Sequence, residues 1–191
     1  MLVKFDHFEL LPLTPEQACD YVRDLASSGQ LPHRQQVTDA EASAVVEAVG
    51  WRAAFYLDAL ARKLKGAPAD TPAEVALRVE AAVVDLLLPS ERAAFGPWEE
   101  HLRKHYRDPD VGIAFGILGA LARDARGLDS DALLAALQRS SLTQDTLRQL
   151  LIRLDTEGYI AVDDWTRDAP RSSFRNPLLR RWWHQYRPQA N

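Results

Sequence analysis

TQDTLRQLLIRLDTEGYIAV, residues 143–162, contains the change of hydrophobic period that decides the fold. Leu147, Leu150, Leu151 and Leu154 recur at steps of three and four, which predicts a helix from about Thr143 to Glu157 with one buried face. Gly158 ends that run, and Tyr159 to Val162 then reads as a strand. Asp163 to Arg171 is polar enough for a loop, Ser172 to Arg175 reads as the returning strand, and Pro177 opens a last helix through Tyr186.

Two more helices are written upstream. One runs from about Asp110 to Arg126 with Val111, Ile113, Phe115, Ile117, Leu118 and Leu121, the other from about Ser130 to Arg139 with Leu133, Leu134 and Leu137. Three helices and a two-stranded β-ribbon make a winged helix, a variant of the helix-turn-helix plan, so residues 109–191 are expected to form a winged-helix domain. Asp108-Pro109 is the candidate boundary.

The first 108 residues carry helix signals only. Thr14, Thr38 and Thr71 are each followed three places later by Gln17, Glu41 or Glu74, the spacing of a capping box, and Pro15 and Pro72 stand where a missing N–H costs nothing. The first helix keeps Ala18, Tyr21, Val22 and Leu25 in phase up to Ser27-Ser28-Gly29, and the second runs through Ala42, Val45, Val46 and Val49 to Gly50. A third from about Arg52 presents Phe55, Leu57, Leu60 and Leu64. The fourth, Pro72 to Leu88, is apolar nearly all round and is expected to be central. A short helix, Trp98 to Tyr106, leads to the boundary.

Composition narrows the function classes. No apolar run approaches the roughly 20 residues of a bilayer span, which predicts no membrane partner. Cys19 is the single cysteine and can form no internal disulfide, as suits a cytoplasmic protein. The net charge of -4 is unevenly spread: residues 1–109 hold 12 basic and 17 acidic side chains, residues 110–191 hold 11 and 10. Between Arg167 and Arg187 six arginines face one acid, Asp168, a local cationic stretch in an acidic chain.

Four segments, in order, resemble the C-terminal region of prokaryotic AAA+ ATPases of the archaeal-type or origin-recognition-like group. They are HFELLPLTPEQA (residues 7–18), VGWRAAFYL (49–57), FGPWEEHLRKHY (95–106), and EGYI (157–160) with SSFRNPLLRRWW (172–183). The resemblance implies a mainly α fold in which a helical lid-type bundle, residues 1–108, precedes the winged helix, with residues 1–11 as the exit from an ATPase core. It also implies a lid motif in which a proline would stand at Ala54, and it leaves Arg52 as the nearest cation for a weak lid sensor of nucleotide. Phosphate binding on such a scaffold needs a glycine-rich loop ending in Lys and Ser or Thr, and the chain has no such motif. The expectation is therefore a non-catalytic chain, an excised fragment in the favoured reading or a free-standing lid and winged helix in the other, with ATP and magnesium belonging only to a complete ATPase.

The remaining chemistry is thin. His101 and His105 stand four apart, a spacing at which two imidazoles share a metal, but no third ligand accompanies them and the His-Glu-x-x-His order is absent. Ser140-Ser141, His184 and the aspartates form no recognisable triad order. Duplex DNA is the partner expected first. Gln144, Arg148 and Gln149 lie on the outward side of the helix that would enter the major groove, while Arg167, Arg171 and Arg175 sit on the wing. Asp145 works against phosphate contact, and a pairing of the arginines with acids of the lid stands as the alternative. On that alternative the fold is a protein-interaction or autoinhibitory module that packs on an ATPase core or another protein. Trp182 and Trp183 cannot both face one core, so one is expected between domains or at a partner surface.

Overall fold

The computed structural model describes residues 12–69, 71–138, 142–167 and 170–187. The expectations for residues 1–11, Ser140-Ser141 and Asp168 lie outside them. The chain is mainly helical with a small three-stranded antiparallel sheet.

The capping threonines set the first helices. Thr14, Thr38 and Thr71 each accept a hydrogen bond from the amide three residues on, and the side-chain oxygens of Gln17, Glu41 and Glu74 each accept one in return from the threonine amide. They start α1 (Pro15–Ser27), α2 (Asp39–Val49) and α4 (Pro72–Leu86), with α3 (Ala54–Ala61) between the last two. A 3-10 turn at Pro89–Ala94 leads into α5 (Gly96–His105). Glu41 does more than cap: its buried carboxylate lies 2.8 Å from the buried Arg34 guanidinium and accepts the Ala69 amide at 3.0 Å. Arg34 also donates to the carbonyls of Gly66 and Ala67. One buried ion pair thereby ties the α1–α2 connection, α2 and the α3–α4 connection together.

Two expectations for this half are corrected. Phe55 is on the outer side of α3 and exposed, because the helix starts at Ala54 and turns Tyr56, Leu57, Leu60 and Ala61 inward. Helix α4 is not central. It buries Val75, Val79, Val83 and Leu86 but leaves Leu77 72% and Val84 50% exposed, because it lies at an edge of the bundle against α2 and α3.

The second half runs α6 (Asp110–Arg123), β1 (Leu128–Asp129), α7 (Ser130–Leu137), α8 (Gln144–Thr156), β2 (Ile160–Val162), β3 (Arg171–Phe174) and α9 (Pro177–Tyr186). The ribbon expected to have two strands has three, in the order β1-β3-β2, with Leu128 opposite Ser172 and Ile160 opposite Phe174. Gly127 makes the third strand possible. At φ 77° it passes so close to Ser172 that a Cβ would meet the Ser172 carbonyl oxygen at 2.3 Å.

The core crosses residue 108 without a break. Trp183 of α9 packs against Phe115 of α6 and Phe174 of β3, while its neighbour Trp182 stacks on Phe95 just before α5. Tyr186 donates to the Leu87 carbonyl at 2.6 Å, and Tyr159 donates to the Trp98 carbonyl at 2.7 Å. No helix among the described residues is long and apolar enough to cross a membrane.

Candidate nucleic-acid interface

Helix α8 owes its position to its leucines. Thr143 caps its first turn by accepting from the Thr146 amide, and Leu147, Leu150, Leu151 and Leu154 are buried. The rotation that buries them turns Gln144, Asp145, Arg148, Gln149 and Ile152 to solvent. Ile152, 45% exposed, adds an apolar spot to an otherwise polar face.

The β2–β3 hairpin does not stand away from this helix. Arg148 donates to the Trp165 carbonyl at 3.3 Å and lies 5.7 Å from the centre of the Trp165 ring. The Trp165 indole N–H in turn reaches Asp155 at 3.1 Å. Asp155 also accepts from Arg175 at 2.7 Å, so a single carboxylate on α8 holds both the tip and the returning strand of the hairpin. Between tip and helix remains a small cleft of about 130 Å³ lined by Gln144, Asp145, Arg148, Trp165 and Pro170.

The structure sets Gln144 and Arg148 beside the hairpin tip and engages almost all of the expected contact residues within the chain. Gln144 donates to Asp131 at 3.1 Å. Arg167 pairs with Asp163 at 3.0 Å and lies 3.5 Å from Asp164. Arg171 donates to the Gly127 carbonyl at 2.9 Å, and Arg175 reaches the Ile160 carbonyl as well as Asp155. Gln149 alone of the six is exposed with no side-chain hydrogen bond to another described residue. On α8 and the hairpin Arg148, Arg167, Arg171 and Arg175 stand against Asp145, Asp155, Asp163 and Asp164, so the charges cancel. The Thr166 hydroxyl and amide, with Arg167 nearby, hold the Asp164 carboxyl below its ordinary range and keep it anionic.

The other arginines of the last segment are also engaged. Arg181 makes a two-pronged pair with Glu80 of α4, which lowers the Glu80 pKa. Arg180 donates to the Ala122 carbonyl, and Arg187 pairs with Glu99 of α5. Arg52 forms a double clasp with Leu13: its Nε donates to the Leu13 carbonyl at 2.6 Å, and its own carbonyl accepts the Leu13 amide at 3.1 Å. That clasp fixes where the chain turns into α1.

His101 and His105 stack on each other with ring centres 4.3 Å apart, and His101 faces Glu157 at 3.4 Å. Glu157 is shared, accepting from Tyr106 at 2.8 Å and from Arg153 at 2.9 Å, while Arg153 lies over the Tyr106 ring. Burial and the Glu157 charge push the Tyr106 phenol well above its ordinary range, so it stays a donor. This cluster fastens α5 to α8. Among the described residues no group of three or more metal-ligating side chains is assembled. Cys19 is half-buried on α1, 3.9 Å from the Ser43 hydroxyl.

Sequence reading missed the pairing of Arg148 with Trp165 and the double role of Asp155. A tryptophan at an otherwise polar hairpin tip was the available signal, since an indole there needs both a packing surface and an acceptor. No family model matches the chain, and no curated protein matches it.

Proposed function

We propose that this chain is a non-catalytic module in which a helical lid-type bundle is joined to a winged helix, as in the region that follows an AAA+ ATPase core, and that it works by docking on protein. The order α6, β1, α7, α8, β2, β3, with the last strand between the other two, supports the winged-helix plan. Nucleotide and magnesium belong to the core in this reading, and Arg52 is a strut at the start of the lid rather than a sensor. The single cysteine, which can form no internal disulfide, supports a reducing, cytoplasmic setting, and the resemblance supports a prokaryotic one.

The observation that carries the choice of partner is the charge balance around α8. A duplex binder gains most of its affinity by placing unengaged cations on phosphates. Here each arginine of the expected set already has an acceptor in the chain, and four carboxylates share the surface. A protein surface tolerates such mixed charge, and the exposed Ile152 gives it an apolar contact.

Duplex DNA is the second reading, favoured by Arg148 and Gln149 side by side on the outer face of α8, residue types that match guanine and adenine edges. Exposed ion pairs are worth only about 0–1 kcal/mol, so phosphates could compete for these arginines. Fluorescence anisotropy with a labelled duplex at low and moderate salt separates the readings. Protein docking predicts no saturable binding at low salt, and a nuclease-resistant complex with an AAA+ ATPase core supplied separately. Saturable binding that falls steeply with salt and weakens in both Arg148→Ala and Arg175→Ala would establish the DNA reading in its place.

A further inference from the structure

We propose that the pocket between the 3-10 turn and α9, lined by Pro89, Arg92, Trp182, Tyr186 and Arg187, binds a phosphoryl group. The inference is independent of the α8 surface and of the partner proposed for it.

Charge carries it first. The Glu99 side chain, only 6% exposed, is approached by three guanidiniums: Arg103 at 2.9 Å, Arg92 at 3.8 Å, and Arg187. Three guanidiniums are within the hydrogen-bonding capacity of a carboxylate, which offers about four lone-pair sites. They exceed its charge: one acid against three arginines leaves the cluster two positive charges in surplus, with Arg92 and Arg187 at the pocket wall and Arg103 over the Phe115 ring. The neighbouring Glu91 is paired with Lys63 at 2.8 Å. A dianion restores neutrality, which a second carboxylate would do only in part.

Arg187 supplies the second observation. Its guanidinium lines the pocket and, with Nε out of solvent and without a partner among the described residues, is held there by Glu99. Burial, and then the like charge of Arg92, lower the Arg187 pKa, the electrostatic counterpart of two cations held together. Arg92 is two-thirds exposed at its side chain and is free to swing onto a ligand.

Size sets the ligand class. The cavity is about 200 Å³, below the roughly 300–1,000 Å³ of sites that enclose a drug-sized molecule. It takes a phosphate ion or the phosphoryl end of an ester whose remainder stays outside. Trp182 and Tyr186 form apolar walls beside the arginines.

Isothermal titration of the chain with inorganic phosphate, phenyl phosphate and acetate, at constant ionic strength and near-neutral pH, tests this. The expected result is saturable one-to-one binding of phosphate, weakened about tenfold in Arg92→Gln and in Arg187→Gln, and unchanged in Arg126→Gln. Far-UV circular dichroism checks that the variants fold. Should Arg187→Gln unfold, the exposed Arg92→Gln carries the test by itself. Phenyl phosphate binding at least as tightly as phosphate identifies an ester as the ligand, and weaker binding identifies the free ion. No saturable heat, acetate binding as tightly as phosphate, or an Arg92→Gln variant that binds like the parent would overturn the proposal.

Discussion

Trp182 stacks on Phe95 with ring centroids 5.9 Å apart and planes 25° from parallel, and through this contact the last helix closes over the end of the first half of the chain. Trp182→Ala should cost about 3–5 kcal/mol, because the surroundings cannot collapse into the cavity left behind. The shared core also predicts one unfolding transition. Urea titrations followed by far-UV circular dichroism and by fluorescence of the remaining tryptophans should coincide in parent and variant. Two separated transitions would show that the halves are stable independently.

A second lock joins the same helix to α2. Gly50 closes α2 at φ 66°, and a Cβ there would meet Pro177 Cγ at 2.7 Å. Gly29 has a similar φ of 72° with nothing within 4 Å of a Cβ. Both Gly→Ala changes should destabilise by about 1 kcal/mol for the positive φ, and Gly50→Ala by more, since its ψ of -49° lies outside the left-handed helical well. Gly50→Ala should cost a further 1–3 kcal/mol or so from overpacking. Thermal melts of the two variants measure the difference, and equal losses would mean that α9 yields freely.

Glu41 makes the bundle acid-labile. Burial raises its pKa, but Arg34 and the amides of Thr38 and Ala69 outweigh burial and bring it below the ordinary 4.5. A depressed folded pKa means the stabilisation is complete above the unfolded value and is lost as pH falls through the folded one. Stability should therefore be flat in this term at neutral pH and drop below about pH 4.5. Glu41→Gln should remove that part of the acid transition and cost about 3–5 kcal/mol at pH 7, since it strands the Arg34 charge in the interior. Chemical denaturation between pH 3 and 7 reads both effects.

Asp155 predicts how firmly the hairpin is held. Asp155→Ala releases Trp165 and Arg175 together, so amide exchange at residues 163–167 should accelerate while exchange in the α6 core stays unchanged. The loss of global stability should be modest, about 1–2 kcal/mol. The same variant sharpens the test of partner. It takes away the one carboxylate that Arg175 pairs with, leaving only bonds to the Ile160 and Asp155 carbonyls, and removes a negative charge, so any latent affinity for duplex DNA should rise.

What could be read in the sequence was local chemistry. The threonine caps of α1, α2 and α4 and the leucine stripe of α8 depend on neighbours three or four places away, and each lies where the spacing put it. Strand β1 escaped because two residues carry no period, and its partners lie more than forty positions later, at Arg171 and Ser172. Long-range pairing also hid the fate of the arginines. Six within 21 residues read as a cationic surface, yet their acceptors come from α4, α5, α6 and α8 as well as from the hairpin itself. Exposure of Leu77 and Val84 was equally hidden, because hydropathy reports what a side chain prefers and says nothing about whether a neighbour is there to cover it.

Helix α9 is the last described element to be synthesised, and it covers Phe95, Phe115 and the end of α2. A ribosome that stopped before Pro177 would release a chain with those apolar surfaces bare, the kind of product that aggregates or is degraded. The fold thus proofreads its own message: only a chain translated through α9 can hide the surface that would mark it for destruction.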